Sequence, residues 1–346
     1  MTRAAAPDGA VSGESGSGGR PAINLVLGSG GARGLTHIGA LRVLCDEGYR
    51  INSITGCSMG ALVGALYITG HLDAYEQWVT QLTRWDVLRF LDLSQIGRAG
   101  VVNGDRLMEK LAPWLGGVRL ESLPIPLNVV AADIASRKEV WISDGDLMEA
   151  VRASIAVPGV FTPLVKHHRV LVDGGILNPL PIPPARLDST AITVAVSLSG
   201  REVARPFGAV KAPEQAAPAK EPSADEAAAA ARRKARIDSF LVSMQRFFGR
   251  DATLPESAPA GAETHRSAGR LGGAPPALTD VMLGMFITMQ DTLARHQLAG
   301  NPPDLLIDIP SNICQSHEFH KAGELIAAGA YWARRALQDQ QRADGD

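Results

Sequence analysis

A chain of 346 residues, 45% hydrophobic and 20% charged, can hold one large domain or two ordinary ones around a sizeable core. A net charge of −2 and an aromatic content of 5% exclude a strong electrostatic pull toward nucleic acid and argue against a base-stacking surface. Three widely spaced cysteines, Cys45, Cys57 and Cys314, form no disulfide framework or metal-binding pair, and no run of about 18 apolar residues is present to cross a membrane.

In chain order, residues 1–20 are rich in Gly, Ser and Ala and lack a basic start followed by an apolar stretch. They read as a disordered tail and not as a signal peptide. Ile23 to Leu27 reads as a buried strand running directly into Gly28-Ser29-Gly30-Gly31-Ala32-Arg33-Gly34. Apolar residues then recur at helical spacing from Leu35 to Glu47 until Gly48 ends the pattern. A second apolar run, Ile51 to Thr55, ends in Gly56-Cys57-Ser58-Met59-Gly60, and a small-residue helix begins at once. This β-α-β order implies a parallel sheet.

The Gly-x-Ser-x-Gly stretch fits a nucleophile elbow, a tight strand-to-helix turn that exposes the serine oxygen to the helix N-terminus. Gly56 and Gly60 would leave room for the two backbones to pass. A plain glycine turn is the simpler alternative in a chain with 36 glycines, so context has to decide. The preceding glycine loop is not a dinucleotide fingerprint, because the sixth position counted from Gly28 is Arg33, and no Gly-Lys-Ser/Thr phosphate loop is present. Bare backbone N–H groups beside a nucleophile suit a developing oxyanion better. Arg33 is expected to tie that loop down.

Further on, Asp73 to Leu91 is expected as one amphipathic helix, with a second that starts at Asn103-Gly104-Asp105, runs through Trp114 and is closed by Gly116-Gly117. Pro126 to Asp133 reads as a buried strand, Lys138 to Ile142 as its return, and a helix runs through Ala153. Arg169 to Asp173 is another strand, followed by Gly174-Gly175. A carboxylate at an apolar strand end is placed where active-site groups sit, although Asp-Gly alone would favour a hairpin turn. After a strand from Ala191 to Leu198, residues 201–275 turn to low-complexity Ala, Pro, Glu, Lys and Gly, with one amphipathic helical island at about 231–248. Docking on the domain is the plain reading of that island, and an interfacial helix the sharper one. Leu278 to Leu298 is a helix, Pro302 to Ile309 a last strand, and a final helix runs from about Lys321 to Gln338. His317 and His320 read as loop or capping residues.

Four stretches in this order carry a resemblance to the patatin-like phospholipase family, in particular its bacterial branch related to neuropathy target esterase. They are Gly28 to Gly34, Gly56 to Gly60, Ala153-Ser154-Ile155-Ala156-Val157-Pro158-Gly159, and Asp173-Gly174-Gly175 with Asn178-Pro179. The resemblance covers about residues 21–200 and 278–330. It implies a three-layer α/β/α fold with a mainly parallel central sheet, in a hydrolase domain of residues 21–200 and 276–340. It further implies a Ser-Asp dyad of Ser58 and Asp173, with Gly30 and Gly31 supplying the oxyanion hole. Gly28, Arg33, Gly34, Gly56, Gly60, Gly174 and Gly175 would support these motifs. The substrate would be a phospholipid or lysophospholipid ester, with no metal and no cofactor. Ser29 departs from the family, which often has glycine there.

Two alternatives accompany this reading. A Ser-His-Asp triad would draw on His265, His296, His317 or His320, which follow Asp173 as in an α/β-hydrolase. A catalytically idle domain would serve as a regulator or membrane adaptor. The expected setting is cytoplasmic, with a peripheral contact at the inner face of the membrane left open and no nucleic-acid partner.

Overall fold

Strand β1 (Ala22–Leu27) lies at the middle of the parallel part of the sheet, flanked by β2 (Arg50–Cys57) and β7 (Ile192–Gly200), both parallel to it. In this computed structural model, residues 21–90, 104–185, 191–203 and 278–345 are described. The expected tail at 1–20 and the helical island at 231–248 lie outside them. Among the described residues the remaining strands are β3 (Leu127–Asp133), β4 (Lys138–Ile142), β5 (Leu164–Lys166), β6 (Arg169–Asp173) and β8 (Leu305–Pro310). The order across the sheet is β5-β6-β3-β2-β1-β7-β8, with β4 also pairing β3. Strands β3, β2, β1, β7 and β8 run parallel, while β4, β5 and β6 form the antiparallel edge.

The strand period of two divides the core into two faces. Ile23, Leu25 and Leu27 of β1, with Val194 and Val196 of β7, enter the large cluster on one face, under α1 (Thr36–Asp46) and α2 (Met59–Ile68). Val26 and Ala195 point to the other face, onto α7 (Ile182–Ala185) and Ala294 of α8 (Leu278–Gly300). The result is the expected α/β/α layering. On the larger face α1 pairs with the C-terminal helix α9 (Ala322–Gly345). Gly39 and Gly329 make that pairing close. A Cβ on Gly39 would overlap the Ile326 carbonyl oxygen, and one on Gly329 would overlap that of Thr36.

The expected single helix over Asp73–Leu91 is in fact two, α3 (Leu72–Val79) and α4 (Arg84–Phe90). The break is chemical. Thr83 Oγ1 accepts from the Asp86 amide, while Asp86 Oδ2 accepts from the Thr83 amide at 3.0 Å and its hydroxyl at 2.7 Å. That reciprocal pair is a capping box, which starts a new helix within a continuous apolar stripe. Helices α5 (Asp105–Leu115) and α6 (Leu147–Ser154) complete the larger face. Asp146 caps α6, accepting from the Glu149 amide at 2.8 Å. No helix among the described residues is long and apolar enough to cross a membrane.

Candidate active site

The first three motifs meet at the carboxyl ends of the central strands. Ser58 follows β2 and precedes α2, with φ 55° and ψ −120°. Positive φ in a non-glycine residue is uncommon, and here the turn turns the chain sharply back into a helix. Two glycines permit it. A Cβ on Gly60 would overlap the Leu27 carbonyl, and one on Gly56 would come within 2.5 Å of the Ala61 amide nitrogen. The Ser58 amide donates to Ser154 Oγ at 2.8 Å, and that hydroxyl donates to the Val130 carbonyl at 2.6 Å. Ser154 is fully buried and therefore anchors the strained turn to the middle of β3.

Register explains how Asp173 comes to Ser58. Cys57 pairs with Val130 on β3, and the next residue, Ala131, pairs with Asp173 on β6. The aspartate thus ends its strand level with the elbow, two strands away. Gly174 lies directly on the Val130 carbonyl, where a Cβ would overlap it. The Asp173 amide donates to the Ala156 carbonyl at 3.0 Å. One stretch, Ala153 to Gly159, therefore holds the nucleophile candidate through Ser154 and the carboxylate candidate through Ala156. The sequence motif marked that stretch without showing its task.

Asp173 is completely buried, and burial pushes its pKa up to about 7. Hydrogen bonding from the Ser58 hydroxyl, the Gly175 amide and the Cys57 thiol opposes the rise. The Gly175 amide donates to Oδ1 at 2.8 Å, and Cys57 Sγ lies 3.9 Å from the same oxygen. Oδ2 has no close donor among the described residues. The Ser58 contact is accordingly a loose one, of the kind that tightens when a substrate seats. Burial and the Asp173 charge raise the Cys57 thiol well above its usual range, so it stays a donor.

The glycine loop is held by bonds that leave two amides over. Gly28 donates to the Val196 carbonyl at 3.1 Å, Ser29 to that of Pro179 at 2.8 Å, and Ala32 to that of Ser316 at 2.8 Å. Arg33, buried, donates through Nη1 to the Ser311 carbonyl at 3.0 Å, so it does tie the loop down. His37 Nε2 donates to the Gly28 carbonyl at 2.8 Å, and burial lowers this imidazole to about 4, leaving it neutral near pH 7. Gly30 makes none of the loop's backbone bonds as a donor, and Gly31 opens a 3-10 turn whose first amides have no internal acceptor. Gly31 also has φ +58°, and Gly34 packs on Met59 so closely that a Cβ would overlap it. The loop and the elbow are thus built as one unit.

Among the histidines of the triad alternative, His265 lies outside the described residues. None of the groups that shift Asp173 is a histidine. His296 is exposed on α8, and His320 accepts from Arg84 Nε at 3.1 Å. Among the described residues no group of three His, Cys, Asp or Glu side chains could hold a metal. Sequence reasoning missed two residues of the site. Ser154 stood inside a quoted motif without a role. Gln290, whose Nε2 donates to Ser29 Oγ at 2.8 Å, was visible only as an amide in the apolar stripe Phe286, Gln290, Ala294 of α8.

A sequence model described as patatin-like phospholipase matches residues 25–186, from β1 to the end of α7. Uncharacterised NTE family proteins of Mycobacterium bovis and Mycobacterium tuberculosis are 39% identical over 344 residues, covering 92% of this chain and 92% of each relative. The neuropathy target esterase of Drosophila willistoni is 36% identical over 166 residues, which is 46% of this chain and 11% of that longer protein. The similarity to the mycobacterial relatives spans nearly the whole of both chains, so this chain belongs to the NTE family and carries its patatin-like phospholipase domain.

Proposed function

We propose that the chain is a serine acyl hydrolase that cleaves fatty-acyl ester bonds of phospholipids or lysophospholipids. The observation that carries this reading is Ser58, on a strained elbow beside a fully buried Asp173 whose pKa is raised to about 7, with the Ser58 hydroxyl opposing that rise. A serine hydroxyl needs a base, and an ordinary carboxylate is too weak at neutral pH. Burial corrects that weakness by raising the proton affinity of Asp173. The names of the family and of the Drosophila relative, phospholipase and esterase, point to the same ester chemistry.

In the proposed cycle Ser58 Oγ attacks the ester carbonyl carbon while its proton passes to Asp173. The amides of Gly30 and Gly31 hold the resulting oxyanion, and each such donor is worth about 3 kcal/mol at comparable sites. Collapse breaks the bond to the alcohol or lysolipid, which leaves with the proton from Asp173. Water then gives a proton to Asp173 and attacks the acyl carbon. The fatty acid departs and the proton returns to Ser58. His37, held neutral on the Gly28 carbonyl, supports the loop and takes no proton in this cycle.

The test is covalent labelling with a fluorophosphonate, followed by turnover of lysophospholipid. Labelling of the wild type that vanishes in Ser58→Ala is expected. A folded wild type that neither labels nor hydrolyses such esters would overturn the assignment in favour of the idle domain.

A further inference from the structure

Gln290 is a buried amide on the apolar face of α8, between Phe286 and Ala294 at helical spacing. A polar group there is costly unless it is hydrogen-bonded. Its partner is Ser29 Oγ at 2.8 Å, the side chain that stands between Gly28 and Gly30 in the glycine loop. The amide also fills the space left by the missing side chain of Gly175. A Cβ on Gly175 would overlap Gln290 Nε2, and the same point lies 2.9 Å from Ser29 Oγ and 3.0 Å from Asp173 Oδ1. Three elements therefore converge on the bare face of one glycine: the loop bearing Gly30 and Gly31, the turn that holds Asp173, and α8.

We infer that Gln290 is a positioning residue that locks the glycine loop to the Asp173 turn through Ser29 and Gly175. The inference rests on the Ser58–Asp173 reading above. Catalysis by a dyad and an oxyanion hole depends on the distance between the proton acceptor and the amide donors, and small displacements there are expensive. The backbone already ties these loops once, where the Ser29 amide donates to the Pro179 carbonyl at 2.8 Å. Gln290 adds a second tie from outside both loops. Ser29 is then functional in place of glycine, because only a side chain gives the Gln290 amide something to hold.

The experiment measures kcat, KM and melting temperature on a soluble p-nitrophenyl ester for the full chain and for Ser29→Ala, Gln290→Leu, the double variant and Ser58→Ala. Each single variant is expected to lose about tenfold or more in kcat with KM within about twofold. The double variant should be no worse than the poorer single one, since both remove the same contact. A residue that serves only the packing of α8 would lower the melting temperature without this split between kcat and KM. Ser29→Ala changes no residue of α8 and reads the same contact should Gln290→Leu fail to fold. The inference is overturned if Ser58→Ala is inactive while Ser29→Ala keeps kcat within about twofold of wild type, or if the two losses multiply. Wild-type turnover surviving in Ser58→Ala would instead overturn the dyad reading, and this inference with it.

Discussion

Asp133 closes β3 and Asp173 closes β6, two antiparallel neighbours in which Leu171 pairs with Asp133 and Ala131 with Asp173. By strand position the two carboxylates are near equivalents. Their surroundings differ. Asp133 Oδ1 accepts from the amides of Ala135 at 3.0 Å and Val170 at 3.2 Å, and Oδ2 accepts from the Ser136 hydroxyl at 2.7 Å. Those donors, Ser136 first, hold its carboxyl below the usual range. Asp173 has one backbone donor at 2.8 Å, a distant thiol and a loose serine contact, and burial wins. A carboxylate supplied with donors secures a turn, whereas one deprived of them becomes a base. The following residues decide which occurs. Ser136 supplies a hydroxyl after Asp133, while Gly174 and Gly175 supply close backbone approach after Asp173.

The comparison breaks most directly by exchanging each carboxylate for an amide. Asp173→Asn is expected to lower kcat by about a thousandfold, near the upper range for loss of a general base. Asp133→Asn should keep kcat within a few-fold and lower the melting temperature at neutral pH. Equal loss of turnover in both variants, measured on the same ester, would erase the distinction between the two carboxylates.

Stability sharpens it with opposite signs. The Asp173 carboxyl rises from 3.8 to about 7 on folding, so the folded state keeps a proton that the unfolded state has released. Its contribution is fully present below about pH 4 and is lost as pH rises through about 7, a change on the order of 4 kcal/mol. Asp173→Asn should therefore unfold at higher denaturant concentration than wild type at pH 8, with the difference gone at pH 4. Asp133 is shifted downward, so its contribution is present at neutral pH and is lost as pH falls. The same midpoint should appear in catalysis. The base must be ionised, so kcat/KM is expected to rise about tenfold per pH unit below about 7 and then level. A flat profile from pH 5 to 9 would contradict the assignment of Asp173.

What the sequence made legible was local. The order of strand, glycine loop, helix, strand and elbow follows from apolar periods and glycine positions, and Asp173 stood out by the two glycines after it. The break between α3 and α4 was also local, since Thr83 and Asp86 are a capping pair, but the apolar stripe running through Trp78, Leu82 and Trp85 masked it. The bonds that assemble the site are different in kind. Ser58 and Ser154 are 96 residues apart, and Ser29 and Gln290 are 261 apart. Neither partner is marked by spacing, because such contacts exist only once the sheet has set its register.

Cys57 tests the smallest element of the contrast between the two aspartates. Its thiol is the weakest of the donors to Asp173, at 3.9 Å from Oδ1, and it is fully buried behind Ser58. A thiol donor favours the charged carboxylate slightly, so its removal lets burial raise the Asp173 pKa further. Cys57→Ala should move the acid limb of kcat/KM upward by a few tenths of a pH unit, lowering activity by about half at pH 6 and hardly at all at pH 9. Cys57→Ser places a stronger donor at the same position and should move the limb the other way. Because both variants leave Ser58, Gly30 and Gly31 in place, a shift of opposite sign in the two reports on the proton affinity of Asp173. An equal fall in rate at every pH would report only a disturbed elbow.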